Sequence, residues 1–178
     1  MGTTVVLGPE PGTVAALAAD PYAGRVVTMS YPPRITGTAA RDGQVDLLAS
    51  PSGSVLQRMS LPNPITLAAS PALGIAVVGF VEDNRGQVIA LRTSDAHIVW
   101  TARLPSMPKG LGIWERGARV AVALANNAVL ALEAQTGHPV CQWGLSAQPT
   151  ALALDGTTRT VVVGTADGHL VAQSLRCQ

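Results

Sequence analysis

The chain has 178 residues, enough for one domain with a sizeable core, and 47% of them are hydrophobic. Charged side chains make up only 13%, about half the usual share. They comprise 12 basic and 11 acidic groups with no basic run, which argues against a nucleic-acid partner, and no apolar stretch approaches the roughly 18 residues of a membrane span.

The first apolar run, Thr3–Leu7, follows a start without a cationic n-region. Val6 stands where a myristoylation signal needs Ser or Thr. An intracellular, cytoplasmic protein is therefore expected. From there on the apolar runs are short, rich in Val, Leu and Ala, and bounded by Gly, Pro, Asp or Ser, which predicts strands and almost no helix. Val14–Ala19 and Arg25–Tyr31 flank the turn Asp20–Gly24. A long link, Pro32–Arg41, leads to a strand around Val45 and then to Val55–Leu61. Ile65–Ala69, Ile75–Val81, a strand around Val88 and Ile98–Leu104 follow in the same order. Then come Leu111–Trp114, Arg119–Leu124, a strand around Val129 and Val140–Leu145. Thr150–Leu154, Thr160–Thr165 and a strand around Leu170 close the series. Asp42-Gly43 and Asp167-Gly168 are hairpin signals between second and third strands.

The order is a repeat. Gly86-Gln87-Val88-Ile89-Ala90-Leu91 recurs as Asn127-Ala128-Val129-Leu130-Ala131-Leu132 and as Gly168-His169-Leu170-Val171-Ala172-Gln173, with a weaker copy at 43–48. The anchors Val45, Val88, Val129 and Leu170 are spaced by 43, 41 and 41 residues. A period near forty in a strand-rich chain predicts an all-β propeller of about four blades, with approximate bounds 13–62, 63–105, 106–146 and 147–178 plus 3–8 in one domain. Three four-stranded blades, one three-stranded blade and the spare run Thr3–Leu7 would make a closed four-bladed ring. The alternative is an open or partial propeller, completed by further sequence or by a partner chain.

The link between third and fourth strands, Ala131-Leu132-Glu133-Ala134-Gln135-Thr136-Gly137, resembles the repeat of quinoprotein-like propellers of the pyrroloquinoline-quinone type, as does Ala90–Ala96 followed by Trp100. The last repeat, with Gly164-Thr165-Ala166-Asp167-Gly168, resembles a WD repeat without its Trp-Asp pair. Cys141 and Gln57 replace the Trp, and Ala96 replaces the turn glycine. The resemblance implies the propeller fold. It does not carry over quinoprotein activity, which needs a quinone pocket, a calcium site and usually an adjacent cysteine pair, so no cofactor is expected.

No nucleophile motif, phosphate loop or metal-ligand spacing occurs. His97 and His138 fall in equivalent hairpins and His169 at the opposite end, so the three should not share an ion. Asp20, Asp155 and Asp167 stand at turns, where an Asp side chain caps backbone N–H groups. Trp100 and Trp143 are expected to pack between blades. The two cysteines, Cys141 and Cys177, are far apart and outside any C-x-x-C, so free thiols are expected, with a single bridge left open.

What remains is the end of the propeller that carries the links between second and third strands and between successive blades. It offers Tyr31, Arg34, Arg41, Glu82, Asp83, Asn84, Arg85, Met107, Lys109, Asn126, Asn127 and His169, a mixture suited to protein recognition. The expectation is a non-catalytic protein-binding scaffold. A structural part of a larger assembly and, less favoured, a propeller enzyme with a channel site are the alternatives.

Overall fold

A computed structural model describes residues 13–31, 42–155 and 158–174. It contains fifteen strands and one short 3-10 turn. The first sheet comprises β1 (Thr13–Asp20), β2 (Arg25–Tyr31), β3 (Asp42–Ala49) and β4 (Val55–Pro62). The second holds β5 (Pro64–Ser70), β6 (Ile75–Glu82), β7 (Arg85–Arg92) and β8 (Ile98–Arg103). The third holds β9 (Pro108–Trp114), β10 (Arg119–Leu124), β11 (Ala128–Glu133) and β12 (Pro139–Gly144), with the 3-10 turn at Glu115–Gly117. The fourth holds β13 (Pro149–Asp155), β14 (Thr160–Thr165) and β15 (Leu170–Ser174). Every sheet is an antiparallel meander in sequence order, and β1, β5, β9 and β13 form its inner edge.

The sheets stack face to face, and that stacking explains the residue patterns. β6 reads Ile-Ala-Val-Val-Gly-Phe-Val-Glu and is buried on both sides, because the first sheet covers one face and the third the other. A strand covered twice needs a continuous apolar run rather than alternation. Val77, Val88 and Ala90 face the third sheet, where they meet Val122 and Leu130. Ala76, Val78 and Ile89 face the first, where they meet Val27, Val45 and Leu47. β14 alternates instead: Val161 and Val163 pack on Ala121, Val129 and Ala131 of the third sheet, while Val162 and Gly164 stay half-exposed.

Among the described residues the inner strands pack in series, β1 on β5, β5 on β9 and β9 on β13, without a comparable contact from β13 to β1. The far face of the fourth sheet is open. Its anchor Leu170 is 80% exposed, whereas the equivalent Val88 and Val129 are fully buried. The described residues therefore form an open arc of four blades. The proposed closing strand Thr3–Leu7 lies outside the described residues, as does the link Pro32–Arg41.

Trp100 locks the second sheet to the third. Its indole Nε1 donates to the Ala134 carbonyl at 2.8 Å, and the ring lies over the turn at Gly137. Gly137 has φ +72°, and a Cβ there would sit 2.5 Å from the Trp100 ring. Sequence position 96, where alanine replaces the repeat's glycine, adopts the same left-handed conformation with φ 56°.

The expectation of free thiols is overturned: Cys141 is disulfide-bonded. The sequence holds one other cysteine, Cys177, which lies outside the described residues. Cys141 follows Trp100 by one repeat of 41 residues, and Cys177 follows Thr136 of the Trp100-contacting turn by the same 41. A covalent bond thus stands at the repeat position where blades two and three use an indole.

Replacing Trp100 with alanine should cost about 3–5 kcal/mol in denaturant unfolding, through the cavity and the lost hydrogen bond. G137A should cost about 1–3 kcal/mol through the ring clash and the left-handed backbone. Unfolding within error of the parent for either variant would contradict the lock. Reducing the disulfide, or replacing Cys141 with serine, should lower stability by about 2–4 kcal/mol, read from the same curves with and without reductant.

Candidate functional site

The two ends of the arc differ in what their polar groups do. At the end carrying the β1–β2 and β7–β8 turns, side chains are spent on joining sheets. Asp20 is buried; its Oδ1 accepts the N–H groups of Tyr22 and Ala23 at 3.1 and 3.0 Å, and its Oδ2 accepts the Thr93 hydroxyl of the second sheet at 2.7 Å. The Ser70 hydroxyl donates to Glu115 of the third sheet at 2.8 Å. Asp155 holds the Thr158 N–H and hydroxyl at 3.3 and 2.6 Å. These carboxylates cap turns, as the sequence suggested, and Asp20 also ties two blades together. A shallow groove of about 540 Å³ lies between these turns, with Asp20, Tyr22, Arg92, Thr93 and Gln135 on its walls. The Asp20–Thr93 bond already satisfies its floor.

At the opposite end, links between blades lie beside the hairpins that join second and third strands. Backbone hydrogen bonds fix this arrangement blade after blade: Val81 N–H to Asn63 O at 3.1 Å, Ala125 N–H to Met107 O at 2.9 Å, and Ala166 N–H to Gln148 O at 2.8 Å. Leu104 N–H to Gly86 O and Leu145 N–H to Asn127 O, at 2.9 and 2.7 Å, close the same loops from the other side. Asp83 and Asn84 form a tight β6–β7 hairpin with φ 49° and 61°, a conformation Asp and Asn tolerate better than most residues.

This framework brings most of the predicted rim together. Glu82, Asp83, Asn84, Arg85, Met107, Lys109, Asn126, Asn127 and His169 are all exposed at this end. Glu82 accepts the Gln87 side-chain amide at 2.6 Å within its own hairpin. Tyr31 is half-buried, and its hydroxyl donates to the Pro64 carbonyl, tying the first blade to the second. Arg34 and Arg41 lie outside the described residues.

The histidines are separated as expected. His97 lies in the β7–β8 turn, with Nδ1 3.2 Å from Asp95, and His169 lies in the β14–β15 turn, with Nδ1 3.1 Å from Asp167. His138 is exposed in the β11–β12 turn. Among the described residues, no three His, Cys, Asp or Glu side chains gather as metal ligands.

One polar pair was not anticipated. Asp46 in β3 stands where Ile89 and Leu130 stand in the next two blades, yet it is fully buried. The Arg58 guanidinium of β4 grips it in bidentate fashion at 2.8 and 2.6 Å. The one sequence signal was the break in an otherwise apolar register.

The sheets fanned from a common inner edge define a β-propeller. The family described as outer membrane protein assembly factor BamB matches residues 41–176, and the chain belongs to it. That match agrees with the quinoprotein-like repeat seen in the sequence. No curated protein matches the chain. Among solved structures, the chain is similar to the computationally designed Ika4 protein, with TM-score 0.76 and 18% identity over 99% of this chain and 100% of that one. It is also similar to a structure of the Dos1 propeller, with TM-score 0.73 and 15% identity over 86% of this chain but 41% of that one. At such identities the likeness is one of fold. Among the described residues no helix is long and apolar enough to cross a membrane.

The Asp95 carboxyl is held below its ordinary value, first by the His97 backbone N–H and then by Arg92. Asp167 is lowered chiefly by the Thr165 hydroxyl, then by His169. Their contribution to the hairpins is therefore present above the unfolded carboxylate range and lost as pH falls through the lowered folded value. Carboxyl carbon resonances of both residues should titrate with midpoints below the ordinary 3.8. Midpoints at or above that value would contradict these contacts.

Proposed function

We propose that the chain is a non-catalytic protein-binding scaffold that serves in the assembly of outer membrane proteins. The reading rests on one observation: the two ends of the arc use their polar groups differently. Main-chain bonds lock the turns at both ends, but Asp20–Thr93 and Ser70–Glu115 bond between blades at one, while at the other the charged and amide side chains are exposed. A surface with fixed backbone and free side chains orders little on binding, which favours recognition. Glu82, Asp83, Arg85, Lys109, Asn126 and Asn127 would supply the polar contacts and Met107 an adaptable apolar one. The family's description as an assembly factor supports a protein partner. The match to that family gives no support to a nucleic-acid partner.

The disulfide at Cys141 favours an oxidising compartment over the cytoplasm expected from the sequence. Extracytoplasmic placement also suits a factor acting on outer membrane proteins.

A photo-crosslinking amino acid placed at Asp83, Met107 or Asn126 in the producing cell should capture a protein partner, while the same group at His97 or His138 should not. Equal capture from both ends, or capture from the His97 end alone, would overturn the assignment.

A further inference from the structure

Each inner strand breaks its ladder once, at the same place. Val14 pairs with Ser30 and Ala16 with Met29, so Ala15 is passed over; Ile65, Lys109 and Thr150 are passed over in the same way in β5, β9 and β13. An extra residue of this kind turns out of the pleat, which is how bulges re-aim side chains beside binding sites. All of them are exposed, at the rim end of the inner edge. Their backbone is held from behind. Pro64, Pro108 and Pro149 immediately precede Ile65, Lys109 and Thr150 and are buried. A Cβ on Gly43 would lie 2.3 Å from Pro64 and one on Gly79 would lie 3.0 Å from Pro108, so these prolines seat against the preceding blade. Asn63, Met107 and Gln148, each just before a proline, accept a hairpin N–H through their carbonyls.

We propose that this row of bulges is the centre of the recognition surface and that an acidic side chain of the protein partner seats there, its carboxylate on the Lys109 ammonium and its apolar neighbour on Ile65. The inference rests on the reading of this end as a protein-binding scaffold. Charge selects the occupant. The inner strands β1, β5, β9 and β13 carry one basic side chain, Lys109, and their acids, Asp20 and Asp155, stand at the opposite end, bonded within turns. Among the described residues Lys109 has no ion-pair partner. A carboxylate brought by a partner would therefore meet a cation on a fixed backbone without displacing an existing pair. Ile65, one blade earlier, is 38% exposed, and Met107, two residues before Lys109, is 39% exposed, so the cation stands among apolar groups. A phosphate backbone would call for several cations in a row. One lysine among apolar side chains fits a single carboxylate on a protein surface. The row is built from the second, third and fourth sheets packed on one another, and so does not depend on what lies beside the first.

A photo-crosslinking amino acid in place of Ile65, in the producing cell, should capture the same protein as one in place of Asn126. Mass spectrometry of the crosslinked peptide from position 65 should find Asp or Glu beside the attachment point. K109E should lower that capture about tenfold, the scale of one reversed ion pair, and K109R should retain it, each variant being checked for native circular dichroism. Capture from Asn126 without capture from Ile65 would overturn the inference and leave the scaffold reading standing. So would a crosslinked peptide without an acidic residue, or capture unchanged in folded K109E. No capture from either position would remove the scaffold reading and this inference together. The sequence of the crosslinked peptide decides the matter even if K109E fails to fold.

Discussion

Everything in this molecule depends on sheets packing face to face. A four-stranded antiparallel sheet of this composition has no core of its own; each needs a neighbour on at least one side. The second and third sheets have neighbours on both sides, which is why Val77, Val78, Val88, Val120, Val122 and Val129 are all fully buried. The inner strands set the spacing, because Gly110 and Gly112 leave room for Leu152 and Leu154 to approach closely. Trp100 and the disulfide at Cys141 then act at the outer edge, one by a hydrogen bond and ring contact, the other covalently.

This division of labour explains the contrast between the two ends. Blades that fan from an axis need fastening where their turns diverge, and Asp20–Thr93 and Ser70–Glu115 do that at one end. At the other end main-chain bonds join the loops, Tyr31 bonds to the Pro64 carbonyl, and Asp83, Arg85, Lys109, Asn126 and Asn127 are exposed.

Much of this architecture is legible in the sequence. The anchors Val45, Val88, Val129 and Leu170 gave both the blade period and the strand that carries it, because a residue facing the same neighbour in every blade meets the same constraint. The rim was legible for the same reason: Asp83-Asn84 and Asn126-Asn127 are turn residues at a fixed phase. What could not be read was whatever depends on where the series stops. Leu170 looks like the other anchors in sequence, yet it is 80% exposed, because its burial is decided by a neighbouring sheet and not by its own strand. The fate of Cys141 was hidden likewise, since the contact it replaces joins two blades. Asp46 was missed because an apolar register predicts its burial but not the guanidinium that makes burial of a carboxylate tolerable.

The most direct test of the open arc is an intrachain distance between β1 and β13. Spin labels at positions 17 and 153, on labelled chain diluted into unlabelled chain, report it by electron–electron double resonance. The account predicts a separation spanning the whole arc, several times the ~10 Å between packed sheets. A separation of a single sheet spacing would mean that the four blades close on themselves, and would contradict it.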